Sequence, residues 1–211
     1  MEKNSTSADE LKAIRKYMEE STRFLSLSGF SGLFPGLFAL AGALVVHFLI
    51  IDKGDLNYDD YFRNLTAEEA SAEKWQIAAT ALSVLLLSLL AAFYFSYRRA
   101  RKSGKSFWTP VSKRMLFHLS IPLISGGLFT TILAVQEHNQ LIVPSLLVFY
   151  GLALINAWKF TYNEILYLGI LEILTGLFCA LFPGMWMICW ITGFGILHIG
   201  YGLFMYFKYE K

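Results

Sequence analysis

Two ionisable residues in the C-terminal third of the chain are framed by glycines at the same spacing. The two motifs have the form Gly-x-x-(Glu or His)-x-x-x-Gly and occupy Gly169–Gly176, which contains Glu172, and Gly195–Gly202, which contains His198. On a helix, positions i, i+3 and i+7 share one face, and glycine lets a neighbouring helix approach that face closely. A carboxylate and an imidazole held on such faces could exchange a proton near neutral pH.

Both motifs lie in stretches so apolar that we expect them to cross a membrane. An ionisable residue inside a bilayer is costly, and it marks either a functional site or a specific helix contact. Two interpretations of Glu172 and His198 therefore stay open. The pair handles a proton or a small ligand, or it forms a static hydrogen bond that holds two helices together and contributes about 0.6–2 kcal/mol.

Two further polar residues lie at a similar predicted depth in other apolar stretches. His118 lies early in the third stretch, and Asn156 lies near the end of the fourth. With Glu172 and His198 they are predicted to line one polar cavity on the inner side of the membrane. Two histidines and a carboxylate could also bind a transition metal. However, the chain has no His-x-x-x-His or Glu-x-x-His pair, so we expect neither a metal nor another cofactor.

Motifs of soluble enzymes are missing from the sequence. The chain has no GxSxG, no phosphate-binding loop, no dinucleotide fingerprint and no His-Glu-x-x-His, each of which would indicate a defined chemistry. Catalysis also needs several convergent polar groups, and the apolar stretches offer few. We therefore predict no catalytic residues and no enzymatic activity, with a lipid-modifying membrane enzyme as an alternative.

The composition is that of an integral membrane protein. The chain has 211 residues, of which 55% are hydrophobic and 16% are charged, against about 25% charged residues in soluble domains. Its aromatic content is 16%, and aromatic side chains anchor helices at membrane–water interfaces. The net charge of +2 is too small to indicate nucleic acid as a partner. The lipid bilayer is the partner that the composition predicts.

A spanning helix needs roughly 20 mostly apolar residues, and the chain offers six such stretches. We predict an all-α polytopic membrane protein, with a six-transmembrane-helix bundle in residues 24–211. Residues 1–23 are predicted to form a cytoplasmic or interfacial amphipathic helix, because apolar residues recur there at helical spacing. The predicted crossings are approximately 24–51, 75–97, 111–135, 141–160, 165–182 and 185–207.

Charges in the loops predict the orientation of the chain. The segment between the first and second stretches is mainly acidic, whereas the segment between the second and third has only basic charges. Because Lys and Arg concentrate on the cytoplasmic side, we predict a multi-pass protein of the bacterial inner membrane with both termini in the cytoplasm. The basic residues are Arg98, Arg99, Arg101, Lys102, Lys105, Lys113 and Arg114.

Short connections predict three antiparallel hairpins. The third and fourth stretches are joined by Gln136–Gln140, and the fifth and sixth by Pro183–Gly184. Short loops make consecutive helices antiparallel neighbours, so we expect Glu172 and His198 to lie within reach of each other, both towards the cytoplasmic half. Six glycines are predicted to lie at helix contacts: Gly32, Gly36, Gly169, Gly176, Gly195 and Gly202.

Two resemblances follow from these segments. Gly169–Leu177, followed by Leu181–Gly184, resembles the helical hairpins of the HdeD-like acid-resistance membrane proteins. The whole chain, especially Ser21–Gly32 and Tyr206–Lys211, resembles uncharacterised six-helix inner-membrane proteins of Bacteroidota. The first resemblance implies an association with acid stress without an established reaction. The second implies the six-helix fold and brings no catalytic residues.

Two classes of function are consistent with these features. In the first, the bundle binds or moves a small solute or a proton, or senses acid or membrane stress, through Glu172 and His198. In the second, the chain is a structural or partner-binding subunit. Its glycine-rich helix faces would then pack against a second copy or another membrane protein.

Overall fold

The computed structural model describes residues 9–10, 23–51 and 67–211 of the chain. The amphipathic helix predicted within residues 1–23 lies outside the described residues except at positions 9, 10 and 23. All regular structure in the described part is helical, and six helical segments are long and apolar enough to cross a membrane. The prediction of an all-helical chain with six membrane-length helices is therefore confirmed.

We call these six segments spans 1 to 6. They are Phe30–Ile51, Ser71–Lys102, Pro110–Val135, Asn139–Phe160, Glu164–Leu181 and Pro183–Tyr209. Two of them contain π-helical turns: span 1 ends in one at Val46–Ile51, and span 6 contains one at Ile191–Leu197. The α-helices are α1 (Phe30–Val45), α2 (Ala67–Lys102), α3 (Pro110–Val135), α4 (Ile142–Ala157), α5 (Glu164–Leu181), α6 (Trp186–Trp190) and α7 (His198–Tyr209).

The outward faces of the spans are apolar. Leu90 is 66% exposed, Ile124 is 61% exposed and Leu174 is 56% exposed. A soluble protein rarely exposes so large a contiguous apolar surface. Lipid is the environment in which such a surface is stable, and in lipid every backbone polar group must be bonded internally, as it is in a helix.

Span 1 begins six residues later than the predicted position 24. Residues 23–29 are not helical, because their backbone bonds to the connection between spans 4 and 5 instead. The amide N–H of Phe24 donates to the carbonyl oxygen of Phe160 at 2.6 Å, and the hydroxyl of Thr161 donates back to the carbonyl of Phe24 at 2.9 Å. The first crossing is therefore anchored to the middle of the chain at its entry point.

The spans pack in the order 2–1–6–5–4–3. Spans 1 and 2 and spans 3 and 4 are close neighbours, as predicted for two of the hairpins. Spans 5 and 6 also touch, but span 5 packs more extensively on span 4, and span 6 packs more extensively on span 1. The three-hairpin prediction therefore misses the two largest contacts that the motif-bearing helices make.

Glycine explains this choice of neighbours. A Cβ atom added to Gly169 would lie 2.8 Å from the carbonyl oxygen of Gly151, and one added to Gly36 would lie 2.8 Å from the carbonyl oxygen of Gly195. Backbones approach this closely only where side chains are absent. The glycines of the first motif therefore face span 4, and those of the second motif face span 1. All six predicted helix-contact glycines lie against a neighbouring span.

Arg99 joins three parts of the chain at the end of the bundle that carries the basic loop. Its guanidinium donates to the carbonyl oxygens of Leu27 and Tyr209 and pairs with the Glu210 carboxylate, whose Oε1 lies 3.0 Å from Nη1. Ser28 also donates to Glu210 at 3.1 Å. The side chains of Arg99 and Glu210 are 16% and 17% exposed, so water competes only partly for the bonds between them.

We expect Arg99→Ala to lower the free energy of unfolding by about 1.5–3 kcal/mol, because several hydrogen bonds to charged groups disappear together. Arg101→Ala is the matched control, since Arg101 is exposed on the same helix, and its effect should stay within about 0.5 kcal/mol. Thermal unfolding in one detergent measures both. Equal losses for the two variants would contradict the role of Arg99.

Candidate functional site

The two glycine-framed motifs bring Glu172 and His198 together inside the bundle. Glu172 has no exposed surface, and His198 is 5% exposed. Glu172 lies eight residues after Glu164 and nine before Leu181, roughly 12 Å from the nearer end of α5 at 1.5 Å per residue. Glu172 therefore lies near the middle of span 5, slightly nearer to its first residue, as the sequence predicts.

A third residue, Tyr150 of span 4, completes the site. Its hydroxyl lies 2.8 Å from Nε2 of His198, and the two rings are nearly stacked, with centroids 5.3 Å apart. On the other side of the imidazole, Nδ1 lies 3.2 Å from Oε1 of Glu172 and 3.1 Å from the carbonyl oxygen of Gly193. Spans 4, 5 and 6 thus contribute one polar side chain each to one buried group.

The hydrogen bonds define the tautomer of neutral His198. The carbonyl oxygen of Gly193 can only accept, so its contact with Nδ1 requires a proton on that nitrogen. Nε2 of the neutral ring then carries the lone pair and accepts the hydroxyl proton of Tyr150. Both ring nitrogens of His198 are satisfied in this arrangement without any contribution from Glu172.

Glu172 is the unusual member of the site. Its Oε1 is close enough to His198 for an ion pair, but the Nδ1–H of the ring is directed to Gly193. Within the described residues, neither carboxyl oxygen of Glu172 has a hydrogen-bond partner, although both are buried. A buried acceptor without a partner costs about 1–3 kcal/mol, and a charged one more.

The π-helical turn of span 6 shapes the site around these side chains. It brings Gly193 so close to span 5 that a Cβ added there would lie 2.8 Å from Oε2 of Glu172 and would also collide with Leu147 of span 4. Single π turns inside helices occur frequently at functional sites. Here the turn carries the carbonyl that fixes the ring of His198.

The other two predicted site residues lie elsewhere. The ring of His118 stacks on Phe160 with centroids 5.0 Å apart, and the side chain of Asn156 donates to the backbone carbonyl of His118 at 3.4 Å. Asn156 is exposed. The four predicted residues therefore form two separate pairs, and the first of these, Glu172 with His198, is the buried one.

Sequence reasoning missed Tyr150 and Gly193. Tyr150 precedes Gly151 just as Tyr201 precedes Gly202, and this repeated Tyr-Gly pair is a signal that could have flagged it. Gly193 stands outside the Gly-x-x-His-x-x-x-Gly frame. Its role depends on the π-helical turn, which no residue pattern in span 6 indicates.

Comparisons with known proteins add no family to this geometry. The chain matches no protein-family model, no curated protein and no solved structure. Among the described residues, no group of three His, Cys, Asp or Glu side chains could hold a metal ion. The group formed by Tyr150, His198 and Glu172 is therefore the feature that bears on function.

Proposed function

We propose that this chain is a membrane protein that senses acidification by taking up a proton at Tyr150, His198 and Glu172. The observation that carries the proposal is the Glu172 carboxyl group. It is fully buried, has no hydrogen bond to any described residue, and lies 3.2 Å from Nδ1 of His198. An ionisable group in the middle of a membrane helix is a functional site by default.

The arrangement argues against static glue between helices. A structural hydrogen bond would direct the imidazole N–H at the carboxyl group, because satisfying both partners is what makes such a bond stabilising. In this site the N–H is used by a backbone carbonyl of the same span. Glu172 is thus kept beside a titratable ring while contributing no hydrogen bond to the packing.

Proton uptake would change the bonding of the whole group. A proton from the solvent that reaches Nε2 turns His198 into an imidazolium, which donates from both nitrogens. The hydroxyl of Tyr150 must then switch from donor to acceptor, and its own hydrogen must rotate away. The positive ring would also attract the Glu172 carboxylate at 3.2 Å far more strongly than a neutral ring does.

Burial links this chemistry to the packing of the helices. Glu172 is fully buried and His198 is only 5% exposed in the described arrangement, so proton uptake is coupled to a local separation of spans 4, 5 and 6. Protonation and helix movement are then two parts of one equilibrium, which is how a buried histidine works as a pH sensor.

The proposal includes an orientation. Because the loop between spans 2 and 3 carries only basic charges, we place it and both termini in the cytoplasm and the chain in a bacterial inner membrane. The site then lies near the midplane of the bilayer, between the external and cytoplasmic spaces.

Infrared difference spectra in nanodiscs test the proposal directly. Between about pH 8 and pH 5, the range in which an unperturbed histidine changes its charge, the carboxylate stretching bands of Glu172 should shift in the wild-type protein, because the ring beside them becomes an imidazolium. This pH-dependent change should be absent in Glu172→Gln and in His198→Gln. Glu137→Gln and His118→Gln are the matched controls and should behave as the wild type.

Hydrogen exchange of residues 191–197 supplies the structural readout. The exchange rates are corrected for their intrinsic pH dependence. Protection of this π-helical segment should then decrease as the pH is lowered in the wild type and stay constant in Glu172→Gln. If the wild type has no pH-dependent band and no change in protection, the proposed sensing function is wrong.

A further inference from the structure

A deep cleft lies at the end of the bundle opposite the basic loop. It has a volume of about 1000 Å³ and runs between span 2 on one side and spans 4 and 6 on the other, with span 1 at its back. This volume is at the upper end of the range for small-molecule sites. Span 2 packs closely only on span 1 among the described elements, so the cleft opens sideways towards the lipid.

The lining of the cleft is mainly apolar and includes three indole rings. Ala78 and Ala81 of span 2 line it, as do Val143 and Leu146 of span 4. Trp75, Trp186 and Trp190 also line it. An apolar interior with a few aromatic rings and polar groups at one end is typical of sites for amphiphilic ligands.

The end of the cleft beside the start of span 2, which we call its mouth, carries one charge of each sign among the described residues. Nζ of Lys74, at the start of span 2, lies 2.7 Å from Oε2 of Glu137, which follows span 3. Asn139 also donates to Glu137 at 3.5 Å. The hydrogen bond and charge of Lys74 hold the pKa of the Glu137 carboxyl below its ordinary value of 4.5. The ion pair is therefore intact at neutral pH and weakens only when the pH falls below that lowered pKa.

The backbone of Glu137 is held in an unfavourable conformation. Its φ of 61° lies in the left-handed region, at the position after a helix end where glycine is usual. The N–H of His138 donates to the carbonyl of Leu133 at 2.8 Å, and the N–H of Glu137 donates to that of Ala134 at 3.2 Å, which completes the helix-ending turn. Glycine would occupy this position without strain, so we take the side chain of Glu137 into account in the inference below.

From these features we infer that the cleft binds a zwitterionic amphiphile with one acyl chain. The acyl chain would lie between spans 2 and 4. The charged groups of the headgroup would pair with Lys74 and Glu137 in place of their bond to each other. Its anionic part would meet Lys74, and its cationic part would meet Glu137 and the exposed ring of Trp75. This site is separate from the Glu172 group and goes beyond the proposed sensing function.

Native mass spectrometry with monoacyl phosphocholine tests the inference. The wild-type protein in a non-ionic detergent should bind one molecule saturably. Ala78→Trp fills the cleft and should weaken binding about tenfold or more. Ala79→Trp is the matched control, because Ala79 is exposed on the same helix and lies outside the cleft, and it should bind as the wild type.

The headgroup has its own test. Lys74→Gln should weaken binding of monoacyl phosphocholine but leave binding of uncharged monoacylglycerol unchanged. Tighter binding of the anionic monoacyl phosphoglycerol than of the phosphocholine would overturn the headgroup assignment. Equal binding by the Ala78→Trp and Ala79→Trp variants, or binding that does not saturate, would overturn the site itself.

Tryptophan fluorescence can test where the acyl chain of the ligand lies. In a Trp108→Phe and Trp158→Phe background, all remaining indoles line the cleft, and a phosphocholine brominated in its acyl chain should quench them with the same saturation. Absence of saturable quenching would contradict the inference. Glu172→Gln should bind the probe as the wild type does, so the outcome is independent of the sensing proposal.

Discussion

Gly202→Ala is expected to lower the free energy of unfolding by about 2–3 kcal/mol, because overpacking forces the backbone to move. The added Cβ would lie 2.7 Å from the carbonyl oxygen of Gly29 and 2.9 Å from Cα of Leu33. Both atoms belong to the backbone of the span 1 region, which cannot rotate away as a side chain can. The contact between spans 1 and 6 would therefore open along its length.

Gly200→Ala is the matched control for this prediction. Gly200 lies two residues earlier in α7, and a Cβ there meets nothing within 4 Å. Because alanine favours a helix over glycine by up to about 1 kcal/mol, this variant should be neutral or slightly stabilised. Chemical or thermal unfolding of both variants in one detergent gives the comparison. Similar stabilities for the two would contradict the tight contact between spans 1 and 6.

Glu172→Met is expected to stabilise the protein by about 1–4 kcal/mol, since an apolar side chain of similar size replaces a buried group without hydrogen bonds. The pH response described above should be lost in the same variant. Tyr150→Phe should have the opposite effect and destabilise the protein by about 1–2 kcal/mol, because it removes the hydroxyl that donates a hydrogen bond to Nε2 of His198. Unfolding at neutral pH measures both changes.

The sign of the Glu172→Met effect separates the two interpretations of the pair. If Glu172 and His198 formed a helix-stabilising hydrogen bond, the variant would lose about 0.6–2 kcal/mol. If Glu172 is kept for sensing although its burial lowers the free energy of unfolding, removing it should make the protein more stable, because function and stability oppose each other at such a site. Destabilisation by Glu172→Met would therefore refute the sensing interpretation.

The sequence predicted the spans well because a bilayer imposes a simple length and polarity requirement. The short Pro183–Gly184 turn made a contact between Glu172 and His198 geometrically reasonable, but the rotation of the two helices, which the sequence does not specify, left it open. The sequence could not predict which helices bury the glycines. Gly169 belongs to the motif of Glu172 and Gly202 to that of His198 in the next span, yet the first packs on span 4 and the second on span 1.

The parts of the site that escaped prediction depend on contacts distant in sequence. Tyr150 reaches His198 from 48 positions away, and neither the apolar pattern of span 4 nor its loop lengths specify that rotation. Gly193 depends on a π-helical turn, which adds to span 6 a residue that α-helical periodicity does not anticipate. The start of span 1 was misplaced because Phe24 is apolar, and only its bond to Phe160 shows why the helix begins later.

The glycine contacts also bear on the alternative function, that of a structural or partner-binding subunit. In that alternative, Gly32, Gly36, Gly195 and Gly202 were expected to offer close-packing faces to a second copy or to another membrane protein. These glycines pack on one another's spans within a single chain. A partner of this protein would therefore have to use other surfaces, such as the apolar outward face of span 2.

The pairing of spans 1 and 6 has a consequence for how the protein is made. The glycine face of span 1 enters the membrane early in synthesis, but its neighbour is the last of the six spans to leave the ribosome. Contacts between such distant segments form late and slow folding. Until span 6 is inserted, the glycine face of span 1 therefore lies in the bilayer without the neighbour that covers it in the folded protein.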